Sequence, residues 1–328
     1  MHLKKPKFWD YRKPNFIAYL LLPFSYIVHI YNNLNLIYNN KNLRIALGDG
    51  EKSFYGKIKT ICVGNVYVGG TGKTPLSIEI FKKFKQSKYK ACFVKKKYTN
   101  QLDEQKLLSS NGKLFCKKNR IIATDAAVFE NFDLAIFDDG LQDKSIKYDI
   151  SIVCFNGKVG AGNGCLLPAG PLRESIKNLK KYDAVFLNGN SINESDFEKK
   201  IQKDFPHIKI FKSTYSIKNL HEFDLKEQYL VFAGIGNFDS FIDMLKKNDF
   251  RILDTIAYPD HYNYSKSDIK KILDIAKLKK AKIITTEKDY IKIAEEYKKE
   301  IKAIKIELNI ANENKFFEFL VERFNENI

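Results

Sequence analysis

A glycine-rich segment that ends in lysine and threonine carries the clearest chemical signal in this 328-residue chain. Residues 63–75 read Val-Gly-Asn-Val-Tyr-Val-Gly-Gly-Thr-Gly-Lys-Thr-Pro. The segment follows an apolar run typical of a buried strand and precedes apolar residues at helical spacing, which is the setting of a phosphate-binding P-loop. Small residues let backbone N–H groups surround phosphate oxygens at the start of a helix. The pattern therefore predicts a site for nucleotide phosphates.

The residues at the end of this loop have distinct expected roles. Lys73 reaches the β- and γ-phosphates of ATP, and the Thr74 hydroxyl ligates Mg²⁺. The residues predicted to bind nucleotide in the loop are Gly69, Gly70, Thr71, Gly72, Lys73 and Thr74. Tyr67 stands where the usual pattern G-x-x-x-x-G-K-[ST] has glycine. A glycine-rich turn without a ligand is the alternative, but the Gly-Lys-Thr triplet has the required place between strand and helix.

Two adjacent carboxylates are expected to complete a metal site. Asp138 and Asp139 directly follow the apolar run Leu134–Phe137. An aspartate at the end of a strand beside a P-loop can hold the ligand shell of Mg²⁺. Alone, Asp-Asp-Gly would be typical of a turn. Together with the P-loop, it predicts Thr74, Asp138 and Asp139 as metal-binding residues.

The order of motifs along the chain resembles that of the tetraacyldisaccharide 4′-kinase family, the lipid A 4′-kinases. The matching segments are residues 63–75, 138–142 (Asp-Asp-Gly-Leu-Gln), 162–174 (Gly-Asn-Gly-Cys-Leu-Leu-Pro-Ala-Gly-Pro-Leu-Arg-Glu), 234–237 (Gly-Ile-Gly-Asn), 259–261 (Pro-Asp-His) and 286–289 (Thr-Glu-Lys-Asp). The resemblance covers nearly the whole chain. Each motif alone is weak, whereas the ordered set is specific.

This resemblance implies an ATP-dependent kinase that transfers the γ-phosphate to the 4′-hydroxyl of a tetraacyldisaccharide 1-phosphate in lipid A biosynthesis. The resemblance also implies that the enzyme acts at the cytoplasmic face of the inner membrane. It further implies two α/β/α domains that close over a cleft. By the same resemblance, Asp103 acts with His261 as the base for the acceptor hydroxyl, beside Lys73 as a further catalytic residue. Arg120 and Arg173 match arginines of the family and are expected to clamp phosphates, and Gln142 is expected to contact phosphate as well.

Plainer interpretations of the same residues stay open without the resemblance. Asp103 is also typical of an acid in a surface loop, and His261 of a histidine packed among tyrosines. The arginines could form surface ion pairs, which are worth about 0–1 kcal/mol. The spacing of Thr286 and Asp289 predicts a helix cap first and a ligand contact second.

The chain departs from the family pattern at two places. Residues 93–99 (Phe-Val-Lys-Lys-Lys-Tyr-Thr) stand where many members carry Ser-Arg-Gly-Tyr-Gly, so that Lys96 replaces the arginine. Asp143 stands where the family usually has histidine.

The N-terminal region contains a stretch without lysine, arginine, aspartate or glutamate, from Pro14 to Asn40. Its strongly apolar part, Phe16–Ile30, contains a proline and is short for a transmembrane helix. After Pro23 the apolar positions follow helical spacing, and basic residues flank the stretch. This favours an element lying in the interface of an anionic membrane. A helix pair packed on the protein's own core is the alternative.

From residue 57 onward, short apolar runs alternate with helical patterns, which predicts parallel strands covered by helices. Strands are expected at Ile58–Val63, Leu134–Phe137, Ile150–Phe155, Ala184–Leu187, Tyr229–Ala233 and Lys282–Thr285. The fold class is therefore α/β: a P-loop NTPase-like α/β/α domain, a second, smaller α/β/α domain and an N-terminal membrane-associating helical segment. The predicted domains are 1–45, 46–220 with a linker near 206–224, and 221–328.

The overall composition excludes several classes of protein. No collagen period, heptad array or solenoid repeat is visible. The 56 basic and 39 acidic residues give a net charge of +17, which favours anionic partners. No RNP, zinc-finger or helix-turn-helix signal accompanies this charge, so nucleic acid is not an expected partner. Five scattered cysteines without a C-x-x-C motif indicate neither a disulfide framework nor a zinc site.

A monomer is expected. The alternative to a lipid kinase is a P-loop NTPase that acts as a nucleotide-switched membrane scaffold.

Overall fold

The computed structural model describes residues 5–47, 57–98, 101–143, 145–189 and 196–326, and for 32–47 the backbone alone. Its helices are α1 (Phe16–Leu47), α2 (Lys73–Lys85), α3 (Leu102–Asn111), α4 (Arg120–Phe129), α5 (Asp196–Asp204), α6 (Phe238–Lys247), α7 (Lys266–Lys279), α8 (Glu287–Tyr290) and α9 (Glu313–Glu326). Its strands are β1 (Lys59–Gly64), β2 (Ala91–Lys96), β3 (Leu114–Lys117), β4 (Leu134–Asp138), β5 (Ile150–Asn156), β6 (Ala184–Asn188), β7 (Lys209–Ile217), β8 (Gln228–Ala233), β9 (Arg251–Ala257), β10 (Lys282–Thr286), β11 (Ile301–Ile304) and β12 (Ile306–Ile310).

The chain forms two compact units. The larger unit contains the described parts of residues 5–98, 108–214 and 310–326. The smaller unit contains residues 101–107 and 215–309. The predicted domain boundaries at 45/46 and 220/221 stay predictions.

The larger sheet has the strand order β12-β7-β6-β5-β1-β4-β2-β3, and the pairs from β7 to β3 are parallel. The strands β1, β4, β5 and β6 are buried almost throughout, because helices cover both faces of a parallel sheet. In the register of the sheet, Val63 lies opposite Asp138 and Val94 lies opposite Phe137. The carboxyl ends of β1, β4 and β2 therefore lie side by side at one edge of the sheet.

Helix α2 packs on this sheet through the face that the sequence spacing predicts. Leu76, Ile80 and Phe84 lie on that face and are all buried. Each fully buried side chain of this size contributes about 1.5–3 kcal/mol relative to an exposed one. This burial fixes the start of α2, at Lys73, against the end of β1.

The smaller unit is built on a four-stranded parallel sheet with the order β11-β10-β8-β9. Its central strand β8 is buried from Tyr229 to Ala233. Apolar residues of α6 pack on one side of this strand and apolar residues of α7 on the other.

The predicted fold class is confirmed: the smaller sheet is parallel, the larger sheet is parallel from β7 to β3, and each predicted strand is present within a residue or two at either end. Strands β2, β3, β9, β11 and β12 and helix α3 are not among the predicted elements, and β7 lies within the expected linker near 206–224. The membrane association of the N-terminal segment stays a prediction. Within the described residues, no helix is both long and apolar enough to cross a membrane.

Candidate active site

The phosphate loop, defined here as residues 64–74, connects the end of β1 to the start of α2. Gly72 caps α2 with φ of +83°, and Gly69 has φ of +122°. Both values lie in the region that side chains other than glycine rarely adopt. The four first N–H groups of a helix have no partner within it, so the loop and the first turn of α2 offer donors to an anion.

Two asparagine side chains brace the phosphate loop from within. Asn65 donates hydrogen bonds to the Gly69 carbonyl at 3.2 Å and to the Thr71 hydroxyl at 3.0 Å. Asn188, at the end of β6, donates to the Thr71 carbonyl at 2.6 Å. The loop is therefore held in shape by the protein itself.

Tyr67 occupies the position where the P-loop pattern has glycine. Its side chain is buried, and its hydroxyl donates to the Asp10 carboxylate and accepts from the Lys5 ammonium at 3.2 Å. The tyrosine thus ties the loop to the segment that precedes α1.

Asp138 is the last residue of β4 and Asp139 follows it, but their carboxylates face different partners. Thr74 Oγ1 lies 3.2 Å and 3.4 Å from the two carboxylate oxygens of Asp138, and both side chains are buried. Asp139 has φ of +64°, which turns its carboxylate towards Lys73 Nζ at 3.8 Å and Arg173 Nη1 at 2.9 Å. Asp138 is therefore placed beside the hydroxyl expected to ligate a metal, and Asp139 among the cations expected to hold phosphate.

The cations around Asp139 control its ionisation. Burial acts to raise the pKa of its carboxyl group, but Lys73, Arg173 and Lys95 together hold that pKa well below its usual range. The carboxylate is consequently ionised at neutral pH. A phosphate arriving at this place would compete with it for the same positive charges.

Arg120 and Gln142, both expected to contact phosphate, brace the loops around Asp139. The buried Arg120 guanidinium donates to the Asp139 carbonyl and to the Asp143 carboxylate, the latter at 3.0 Å. Gln142 donates to the Asn65 carbonyl at 3.0 Å. It therefore touches the backbone of the phosphate loop.

Thr74 and Asp138 fit a Mg²⁺ ion chemically. Within the described residues, no group of three histidine, cysteine, aspartate or glutamate side chains is arranged to hold a metal alone. Mg²⁺ in nucleotide sites is usually bound by one or two protein oxygens, with phosphates and water supplying the rest. A buried hydroxyl beside a buried carboxylate supplies oxygens of that kind.

The smaller unit contains the predicted pair Asp103 and His261. Asp103 lies in the first turn of α3, and His261 lies in the loop after β9 with φ of +59°. Nδ1 of the imidazole lies 3.0 Å and 3.1 Å from the two carboxylate oxygens. The Asp103 side chain is 2% exposed and that of His261 is 17% exposed, so the carboxylate is shielded and the imidazole is partly open to solvent.

Two lysines that the sequence analysis did not assign to the site surround Asp103. Lys288 Nζ lies 3.5 Å from its carboxylate and Lys292 Nζ lies 3.6 Å from it. Lys288 also lies 3.1 Å from Asp260, the residue before His261. Helix α8 carries Lys288, and its expected cap is confirmed, since the Thr286 hydroxyl accepts from the Asp289 N–H.

This cluster keeps Asp103 ionised. Burial acts to raise the pKa of Asp103, but the hydrogen bond from His261 and the neighbouring ammonium groups hold it well below its usual range. Burial alone would lower the pKa of Lys288. The surrounding carboxylates, of which Asp260 acts most strongly, more than offset this effect, and the pKa of Lys288 is raised. Both groups are therefore charged at neutral pH.

Sequence signals for the missed lysines are weak. Lys288 lies within the Thr-Glu-Lys-Asp motif, and Lys292 lies one helical turn later. Their partner Asp103 is nearly 190 residues away in sequence, which only the fold brings close. Lys95, which contacts Asp138 at 2.7 Å, ends an apolar strand but opens a run of three lysines typical of a solvated surface.

Comparison with known proteins identifies the family of the whole chain. The sequence model of LpxK, described as tetraacyldisaccharide-1-P 4′-kinase, matches residues 17–325. This chain belongs to that family. The resemblance drawn from the order of the motifs is thereby confirmed.

Relatives in the 4′-kinase family match along nearly the full chain. The tetraacyldisaccharide 4′-kinase of Pelagibacter ubique is 50% identical over 322 residues, which covers 98% of each chain. That of Rickettsia canadensis is 34% identical over 327 residues and covers 94% of each chain. A crystal structure of LpxK from Aquifex aeolicus in complex with ATP is similar in fold, with a TM-score of 0.64 and 22% identity, and covers 94% of this chain and 99% of that one.

Proposed function

We propose that this chain is an ATP-dependent tetraacyldisaccharide 4′-kinase, a phosphotransferase with an alcohol acceptor. It transfers the γ-phosphate of ATP to the 4′-hydroxyl of a tetraacyldisaccharide 1-phosphate in lipid A biosynthesis. The observation that carries this proposal beyond family membership is the shielded pair of Asp103 and His261. A nucleotide-switched scaffold needs no base for an acceptor hydroxyl, whereas a kinase does.

The larger unit binds the nucleotide in this proposal. Backbone N–H groups of the phosphate loop and the ammonium of Lys73 hold the phosphates, and Arg173 adds a planar donor pair suited to phosphate. Thr74 and Asp138 would hold Mg²⁺, which would supply neutralisation of the phosphate charge. Asp139 orients Lys73 and Arg173 until phosphate replaces it as their partner.

The smaller unit supplies the base. The Asp103 carboxylate accepts a hydrogen bond from Nδ1–H of His261, which leaves Nε2 to take the proton of the acceptor hydroxyl. A negative partner on Nδ1 stabilises the imidazolium formed in that step. Lys288 and Lys292 fix Asp103 in this orientation.

A lipid substrate also requires a membrane, and α1 is suited to bind one. Several large apolar side chains of α1 are more than half exposed, among them Phe16, Leu20 and Ile27. The helix is attached to the larger unit at the buried Ser25, whose hydroxyl donates to the Leu166 carbonyl at 2.9 Å. Large exposed apolar patches on a protein mark interaction surfaces. We place α1 in the interface of the inner membrane, on its cytoplasmic face.

The test is a phosphate-transfer assay with γ-labelled ATP and the acylated disaccharide 1-phosphate in detergent micelles. Lys73→Ala and His261→Ala should each abolish most transfer. Lys82→Ala is the matched control for the first, because it changes an exposed lysine on the same helix. Hydrolysis of ATP without transfer to the disaccharide, in the unaltered protein, would favour the scaffold and contradict the proposal.

A further inference from the structure

Besides Lys73, a buried lysine lies at the phosphate site, on the strand that pairs with the strand of Asp138. Lys95 is near the end of β2, which pairs with β4. Its Nζ donates to Asp138 Oδ2 at 2.7 Å, and the exposed fractions of the two side chains are 1% and 0%. Thr74 Oγ1 lies 3.2 Å from the same carboxylate oxygen. Asp138 Oδ2, which faces the Thr74 hydroxyl expected to bind metal, thus already accepts a hydrogen bond from the Lys95 ammonium.

A buried ammonium is costly unless it is paired, so its presence needs a reason. The fold does not require a charge here, because the residues that precede Lys95 in β2, from Ala91 to Val94, are apolar and buried. The carboxylate that holds this ammonium also lies beside the hydroxyl of Thr74, in the first turn of α2. Lys95 therefore belongs electrostatically to the phosphate site.

Local sequence also sets Lys95 apart. Lys95 opens a run of three lysines with Lys96 and Lys97. Lys96 is exposed, whereas Lys95 is buried. Burial beside Asp138 thus distinguishes Lys95 from the neighbouring Lys96.

We propose that Lys95 is a fixed cation of the nucleotide site that shares Asp138 with the metal and reduces the dependence of ATP binding on Mg²⁺. This inference rests on the proposed function of the phosphate loop. Without Mg²⁺, the two carboxylates would repel the phosphates, and the ammonium of Lys95 offsets that repulsion. With Mg²⁺ present, the ammonium of Lys95 would compete with the ion for Asp138, so Mg²⁺ would increase the affinity for ATP by a smaller factor.

The test compares the dissociation constant of the ATP analogue AMP-PNP in EDTA with that in excess Mg²⁺, by calorimetry. In the unaltered protein the ratio of these two constants should be about tenfold or less. In Lys95→Met it should be at least about tenfold larger, since a charged donor to phosphate is worth about ten- to a hundredfold in binding. Lys95→Arg keeps the charge and should restore a ratio close to that of the unaltered protein.

Lys96→Met is the matched control, because it removes the neighbouring, exposed lysine. A larger ratio in Lys95→Met than in Lys96→Met supports the proposal, and equal ratios overturn it. Should Lys95→Met fail to fold, the ratio in the unaltered protein decides, and a value above about tenfold overturns it. A protein that binds AMP-PNP under neither condition would contradict the proposed nucleotide site itself, which is a separate result.

Discussion

The exchange Asp103→Asn probes the proposed base while changing little else. Asparagine keeps the shape of the side chain but removes its charge and two lone-pair acceptors. In the structure both carboxylate oxygens face Nδ1 of His261, at 3.0 Å and 3.1 Å. After the exchange, the amide can donate to Nδ1, which places the imidazole proton on Nε2. The histidine then presents a donor where the acceptor hydroxyl needs a base.

The size of the effect follows from this loss. General-base catalysis contributes about 10²–10⁴-fold, so we expect kcat to fall by that factor, or by about 2.7–5.4 kcal/mol in activation free energy. The KM for ATP should change by less than about threefold, because a group that acts only in the transition state lowers kcat without weakening substrate binding. The variant should fold, since Lys288 keeps Asp260 as a partner and Lys292 keeps Asp289.

The assay is steady-state phosphate transfer at saturating acceptor, with ATP varied. Asp254→Asn is the matched control: the same exchange in the same unit, at an exposed aspartate paired with Lys279. In the double variant Asp103→Asn/His261→Ala, kcat should be close to that of His261→Ala alone, because residues that act as a unit are not additive. Full kcat in Asp103→Asn, or additive losses in the double variant, would refute the reasoning.

Three further predictions concern the lysine cluster, the phosphate loop and α1. Lys288→Met should lower the free energy of unfolding. Because the pKa of Asp103 is depressed below its usual 3.8, this loss of stability should be full above about pH 4 and shrink as the pH falls further, as urea titrations at several pH values would show. The exposed Lys266→Met should have little effect, and a loss in Lys288→Met that is independent of pH would contradict the account. Gly72→Ala forces a side chain into φ of +83°, at a cost of about 1–2 kcal/mol, and should lower both the melting temperature and nucleotide affinity, whereas Gly157→Ala has room for a methyl group and should change neither. Ile27→Asp should weaken binding to anionic vesicles by about tenfold or more in a flotation assay, because burying an isoleucine side chain is worth about 1.5–3 kcal/mol. Phe129→Asp, at an exposed apolar residue of α4, is the control, and an equal loss of binding there would argue against a membrane face on α1.

The phosphate site could be predicted in most of its parts from local sequence. An apolar strand, a glycine-rich turn and a helix are contiguous in residues 58–84, so the position of Lys73 and Thr74 follows from neighbours along the chain. Asp138 is reached through one further rule, that parallel strands end at a common edge. The different roles of Asp138 and Asp139 could not be predicted, because they depend on the φ of +64° at Asp139, which turns its carboxylate away from that of Asp138.

The base could not be derived from local sequence. Helix α3 has few apolar residues at helical spacing, so Asp103 is typical of a surface loop, and only the family resemblance pointed to it. In the structure its carboxylate is almost fully buried, because His261, Lys288 and Lys292 supply the missing partners. Contacts between segments so distant in sequence leave no pattern that spacing can show.

Lys95 shows that a run of lysines does not by itself determine whether each lysine is exposed. A run of three lysines predicts a solvated surface, and Lys96 and Lys97 follow it. Lys95 is buried because the β2–β4 register brings it beside Asp138, where an ion pair offsets the cost of desolvation.

The position of the transferred phosphate tests the central claim most directly. The purified protein is incubated with ATP and the acylated disaccharide 1-phosphate, and the product is analysed by phosphorus NMR and tandem mass spectrometry. The account predicts one added phosphate, on the 4′-oxygen, formed by the unaltered protein and largely lost in His261→Ala. Phosphate on another oxygen, or equal product from the two proteins, would contradict it.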